Sequence, residues 1–116
     1  MTTTATKSNV VERIEAEVLS WPGVTAGMGK RGEYGFAVGR RQIGHLHGDR
    51  VAHFAFPKSL WAELRAEERI GRHPVDRPGL GARALGSDED VADAIALMRI
   101  NYDRAIAEDG VPGETG

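Results

Sequence analysis

The sequence predicts an α+β domain, with a mainly antiparallel sheet of four to five strands and helices packed on one face. Three observations predict it. Apolar residues recur at helical spacing near both ends of the chain. Short alternating segments separated by glycines fill residues 24–56. The connections between those segments are too short for crossover helices, so neighbouring strands run antiparallel. The expected order is α-β-β-β-β-α-β-α, with residues 8–109 as one domain between disordered ends at 1–7 and 110–116.

Each element has a local cause. Ser8 can cap a first helix running to about Ser20, because Val11, Ile14, Val18 and Trp21 share a stripe that Glu12, Glu15 and Glu17 avoid. Trp21-Pro22-Gly23 stops it. Four strands follow at Val24–Gly29, Glu33–Val38, Gln42–His47 and Arg50–Phe56, with a hairpin turn at Gly48-Asp49. Pro57 opens a second helix with Leu60, Trp61 and Leu64 on its apolar face, closed by Ile70-Gly71. Residues 71–79 (GRHPVDRPG) form a loop, and Leu80–Leu85 a further strand. Ser87 with Asp90 forms a capping-box-like start to a last helix reaching about Glu108, which buries Val91, Ile95, Met98, Tyr102 and Ile106.

Composition narrows the function. At 116 residues, with 41% hydrophobic and 28% charged residues, the chain can bury a core without staples. The absence of cysteine removes thiolate metal sites, disulfides and a cysteine nucleophile. A net charge of −2 with no basic face argues against nucleic acid as a partner. No segment has the length and apolarity of a signal peptide or membrane span, so a cytoplasmic protein is expected. Nucleotide-binding and serine-hydrolase motifs are missing.

All four histidines fall between residues 45 and 73. His45 and His47 alternate on one strand, so both imidazoles can face one pocket. His53 lies on the next strand, and one residue of hairpin register decides its direction. A two-residue loop, Gly48-Asp49, sends His53 to the opposite face and sets Arg50 beside His47. A three-residue loop that includes Arg50 pairs His45 with His53 and brings three histidines together. His73 stands before a proline in the later loop. Asp49 reads as a turn former and Glu33 as an edge charge that could also orient a histidine. Of Arg40 and Arg41, which alternate, at most one points into a pocket. The aromatic residues read first as core, although Tyr34 and Phe54 could line an aromatic pocket.

The run Gly39-Arg40-Arg41-Gln42-Ile43-Gly44-His45-Leu46-His47-Gly48-Asp49 resembles the R-E-I-G-H-L-H-G-D signature of small bacterial luciferase-domain proteins. The same family includes the fungal luciferases, whose R-E-I-A-H-M-H, L-H-L-A-L and R-H-P segments resemble residues around His45, His47, His53 and His73 here. Trp21-Pro22-Gly23-Val24, Phe54-Ala55-Phe56-Pro57 and Ser87-Asp88-Glu89-Asp90-Val91 also occur in the family's order. The resemblance spans about residues 10–107, with the His-x-His segment its most specific part. The loop after His47 is shorter than in the fungal enzymes, and their long N-terminal extension with its apolar segment is not matched.

The resemblance implies oxygen chemistry without flavin or nicotinamide on a hydroxylated aromatic, pyrone or enol compound, and light emission is not expected. His45, His47, His53 and His73 are the expected catalytic residues, with Arg41, Arg50, Tyr34 and Phe54 binding substrate. A histidine titrating near neutrality can take the substrate's proton, and an arginine can hold the anion. If a divalent metal is bound instead, His45, His47 and His53 are its expected ligands. The alternative is a module that binds a small molecule or a metal without turnover. Expected partners are a small molecule and O₂, with no membrane or nucleic acid, in a monomer or homodimer.

Overall fold

The computed structural model describes residues 7–113. The expected disorder at the first six residues and at 114–116 lies outside them. Helix α1 (Lys7–Val18) leads into β1 (Val24–Met28), β2 (Tyr34–Val38), β3 (Arg41–His47) and β4 (Val51–Ala55). Helix α2 (Lys58–Ala66), β5 (Gly71–Arg72), β6 (Leu80–Ala84) and α3 (Asp88–Asp109) complete the chain. The strands form one six-stranded antiparallel sheet in the order β1-β2-β3-β4-β6-β5. The two-residue β5 is the one addition to the expected order. It lies in the proline- and glycine-rich stretch, whose composition hides so short a strand.

One face of the sheet carries the core. Phe36, Val38, Leu46, Ala52 and Phe54 are buried on it together with Ile14 and Val18 of α1 and Val91, Ala94, Leu97 and Met98 of α3. Truncating a fully buried Leu97 to alanine costs about 2–5 kcal/mol. Helix α3 begins as its sequence suggests, with Ser87 Oγ accepting from the Asp90 amide at 3.1 Å. Asp90 returns a carboxylate oxygen to the Gly86 amide and also receives Arg83 at 2.8 Å. Arg83 and Arg69 both grip Asp93, tying β6 and the chain before β5 to the first turns of α3. Near the other end of α3, Asn101 donates to the carbonyls of Ile43 and Ala55, and the Tyr102 hydroxyl donates to the Pro22 carbonyl. Pro112, after α3, rests against Gly23 and Gly39.

Two local features orient the other face. The hairpin between β3 and β4 turns over Gly48-Asp49-Arg50, so His47 pairs with Val51 and His45 with His53. Gly48 has φ +61, a backbone that glycine adopts without steric cost. The second feature is a bulge. On β2, Phe36 pairs with Gly44 but Ala37 pairs with Gln42, leaving Ile43 as an extra residue on β3. In a regular strand, Gln42 and His45 would point to opposite faces. The bulge puts both on the face away from α1 and α3, and turns Arg41 towards α3.

Among the described residues, no helix is long and apolar enough to cross a membrane.

Candidate functional site

The helix-free face of the sheet is made mostly of small residues. In register across all six strands, one row reads Gly27, Gly35, His45, His53, Ala82 and Gly71. Two imidazoles thus rise as a ridge between glycines on one side and alanine and glycine on the other. His47, two residues beyond His45, stands beside them. The chain leaving β5 at the sheet edge carries His73 over the Ala82 side and onto His53.

All four sequence-predicted histidines therefore meet in one place. Ring centroids are 4.9 Å apart for His45 and His47, 5.2 Å for His45 and His53, and 4.3 Å for His47 and His53. His53 and His73 are 4.2 Å apart. His53 is 7% exposed, while the other three are half-buried. No hydrogen bond to another side chain or backbone group reaches the His53 ring among the described residues.

Two hydrogen bonds set opposite ring tautomers at the two sides of the cluster. His45 Nδ1 lies 2.8 Å from Gln42 Oε1, an oxygen that can only accept. His45 therefore carries its proton on Nδ1 and leaves Nε2 with a free lone pair. At His73 the arrangement is reversed, because the Val75 amide donates to Nδ1 at 2.9 Å. Neutral His73 thus carries its proton on Nε2. One side of the cluster offers an electron pair and the other an N–H.

The surroundings of His45, His53 and His73 favour the neutral ring. Burial pushes His53 down to about 4, and the neighbouring His73, His47 and His45 add repulsion against a further positive charge. His45 is lowered by burial first and by His47 and His73, against the opposing charge of Glu33. His73 is lowered by burial and by His47. Glu33 is the carboxylate that acts on the cluster. Its own amide and that of Arg31 hold it below the ordinary range, ahead of the attraction of His45 and His47.

Of the four other predicted site residues, three face away from the cluster. Tyr34 pairs with Leu46 on the helix-covered face, and its hydroxyl donates to Glu15 at 2.5 Å. That bond and burial raise its pKa to about 12. Phe54 follows His53 in a strand and so faces the other way, into the core against Phe56 and the backbone of Gly44. Arg41 is engaged by Glu108 at 2.8 Å and Asp109 at 2.6 Å, because the bulge reverses its direction. Arg50 sits at the turn after His47 with an exposed side chain and no ion pair among the described residues. Gln42 is the residue that sequence reasoning missed. Three positions from His45, it carries no sign in the sequence of sharing its face.

An open trough of about 360 Å³ runs beside His45, lined by Thr25, Gly27, Glu33, Gly35, Ala37 and Gln42. A larger hollow of about 500 Å³ lies by Arg69, Arg83 and Asp90, whose charges are satisfied by ion pairs within and beside it.

Residues 40–101, just over half of the chain and including all four histidines, match the family model described as Luciferase domain. No curated protein and no solved structure matches.

Proposed function

The chain belongs to the luciferase-domain family, and on that premise we propose that it transforms a small hydroxylated aromatic, pyrone or enol compound with O₂ at the four-histidine pocket. The observation that carries the reading is the register of His45 with His53, which gathers His47 and His73 around them. An acidic hydroxyl must lose its proton before the electron-rich anion can pass an electron to O₂. The free lone pairs on the His45 side accept that proton, and the N–H of His73 holds the resulting anion from the other side. Because burial favours the neutral rings of His45 and His53, they are available as acceptors. A flat ring fits the small-residue floor beside His45, with Gln42 and Glu33 at its margin.

Oxygen uptake with a panel of hydroxylated pyrones and catechols tests the reading. Uptake that is lost in both His45→Ala and His47→Ala supports it. Uptake that both variants leave unchanged sinks the site.

A second reading is a module that binds a small molecule or metal without turnover. The mutual reach of His45, His47 and His53 favours it, since their ligating nitrogens all lie within 4.8 Å of one another. Tight binding of a panel compound with no oxygen consumed would select it.

A further inference from the structure

We infer that His45, His47 and His53 hold one divalent transition-metal cation, and that His73 stands outside the ligand set as a hydrogen-bond donor to whatever the cation binds. The inference rests on the pocket proposed above and refines it, placing the substrate's ionised oxygen on the cation rather than on bare imidazoles.

Three observations converge on three ligands. Nitrogens of His45, His47 and His53 lie within 4.8 Å of one another on adjacent strands of a rigid sheet. Around a tetrahedral ion with bonds of about 2.1 Å, ligand atoms sit roughly 3.4 Å apart, so the rings need close by only about an ångström. His45 is prepared for ligation, because its Nδ1–H is engaged by the Gln42 oxygen and Nε2 is left with its lone pair. That is the way a carbonyl partner ordinarily orients a metal-ligating histidine. His53 is 7% exposed, has no hydrogen-bond partner on its ring among the described residues, and is aimed into the cluster. Its nitrogens are not sealed from solvent, so the ring is open to a cation from the exposed side of the cluster.

His73 differs in kind. Its Nδ1 lone pair is taken by the Val75 amide, so Nε2 bears the hydrogen and has no electron pair for a metal. Its ring is 4.2 Å from that of His53, close enough for the N–H to reach a molecule bound at an open metal position. Three imidazoles with no thiolate and no carboxylate in the set suit zinc, iron, nickel or copper, and not magnesium or calcium. Glu33 adds a negative charge beside His45 and His47, which favours a cation there.

Untagged protein stripped of metal is titrated with Co(II), whose visible absorption reports its coordination. One Co(II) per chain is expected. Gln42→Leu weakens binding by about 10–100-fold, and His53→Gln or His47→Ala by more. His73→Ala keeps both stoichiometry and affinity but loses affinity for azide added to the Co(II) protein. Absence of one-to-one binding, or a loss in His73→Ala as large as in His53→Gln, overturns the assignment. Since replacing buried His53 can disturb folding, the nitrogen-15 spectrum of the metal-free wild-type protein gives a second readout. It should find His45 protonated on Nδ1 and His73 on Nε2, and the opposite state at His73 overturns its exclusion. Oxygen uptake that survives chelation but not His45→Ala sinks the metal centre alone. One bound Co(II) with no uptake on any compound supports the metal centre and sinks the proposed reaction.

Discussion

His45 and His53 stand directly opposite each other on β3 and β4, with ring centroids 5.2 Å apart. That relationship depends on a three-residue turn opened by Gly48 at φ +61. A side chain in the left-handed region costs roughly 1–2 kcal/mol, and asparagine tolerates it better than alanine. Gly48→Ala is therefore expected to destabilise the protein by about 1 kcal/mol in urea denaturation, and Gly48→Asn by clearly less. Equal costs would show that this turn is not what fixes the hairpin.

Stability of the metal-free protein should fall as pH drops from about 6.5 to about 4. The folded-state pKa of His53 lies below its unfolded value, so the unfolded chain takes up the proton first. The contribution is full above the unfolded pKa and is lost as pH falls through the folded one. By linkage it amounts to about 3 kcal/mol, with His45 and His73 shifting in the same direction. In His53→Phe this part of the pH dependence disappears. A denaturation midpoint in that variant as pH-sensitive as the wild type's would count against burial as the cause.

Tyr34→Phe separates the two faces of the sheet. Removing the hydroxyl from Glu15 should cost about 1 kcal/mol of stability, in line with an ordinary partly buried hydrogen bond. Oxygen uptake per folded molecule should not change, because Tyr34 lies across the sheet from the histidines. A fall in uptake would mean that the helix-covered face takes part in the chemistry.

Gly44→Ala tests how closely α3 packs on β3. A methyl group there would meet Met98 and the Phe54 ring at 3.1 Å. Overpacking of this kind costs about 1–3 kcal/mol, and Met98→Ala, which removes the Cγ as well as the terminal methyl, should cost less in the Gly44→Ala background than in the wild type. An equal cost of Met98→Ala in both backgrounds would place the strain on Phe54.

Arg83 is the centre of the ion pairs at the start of α3, with Asp90 at 2.8 Å and Asp93 at 2.9 Å. Arg83→Met leaves Asp90 without its cation and should cost about 2–3 kcal/mol, less than a fully buried pair because these groups are partly exposed. Adding Asp90→Asn should restore some of the loss. Thermal denaturation of the single and double variants measures both effects.

Much of the fold was legible in the sequence because its patterns are local. The heptad-like spacing of α3, its Ser87 cap and the glycine-punctuated strands each follow from a few neighbouring residues. The site was legible only in part. His45 and His47 share a face by alternation alone, whereas His53 depends on whether Arg50 belongs to the turn. Two hairpins of nearly equal merit differ by one residue, and the difference is decided by packing. Burying Ala52 and Phe54 requires the longer turn, and that choice also sends Phe54 away from the pocket. Arg41 would share a face with His45 in a regular strand, and the bulge at Ile43 reverses it. Such a bulge leaves no mark in composition or period.

The same bulge limits how the site can be moved. A designer who grafts the histidine motif onto an evenly pleated hairpin would carry over His45, His47 and a facing histidine, yet lose Gln42 to the underside. The graft would hold the rings without fixing which nitrogen bears the hydrogen on His45. Any transplant must bring the odd residue and the Asn101 side chain that bonds its carbonyl, so the smallest portable unit of this site includes part of a helix on the far side of the sheet.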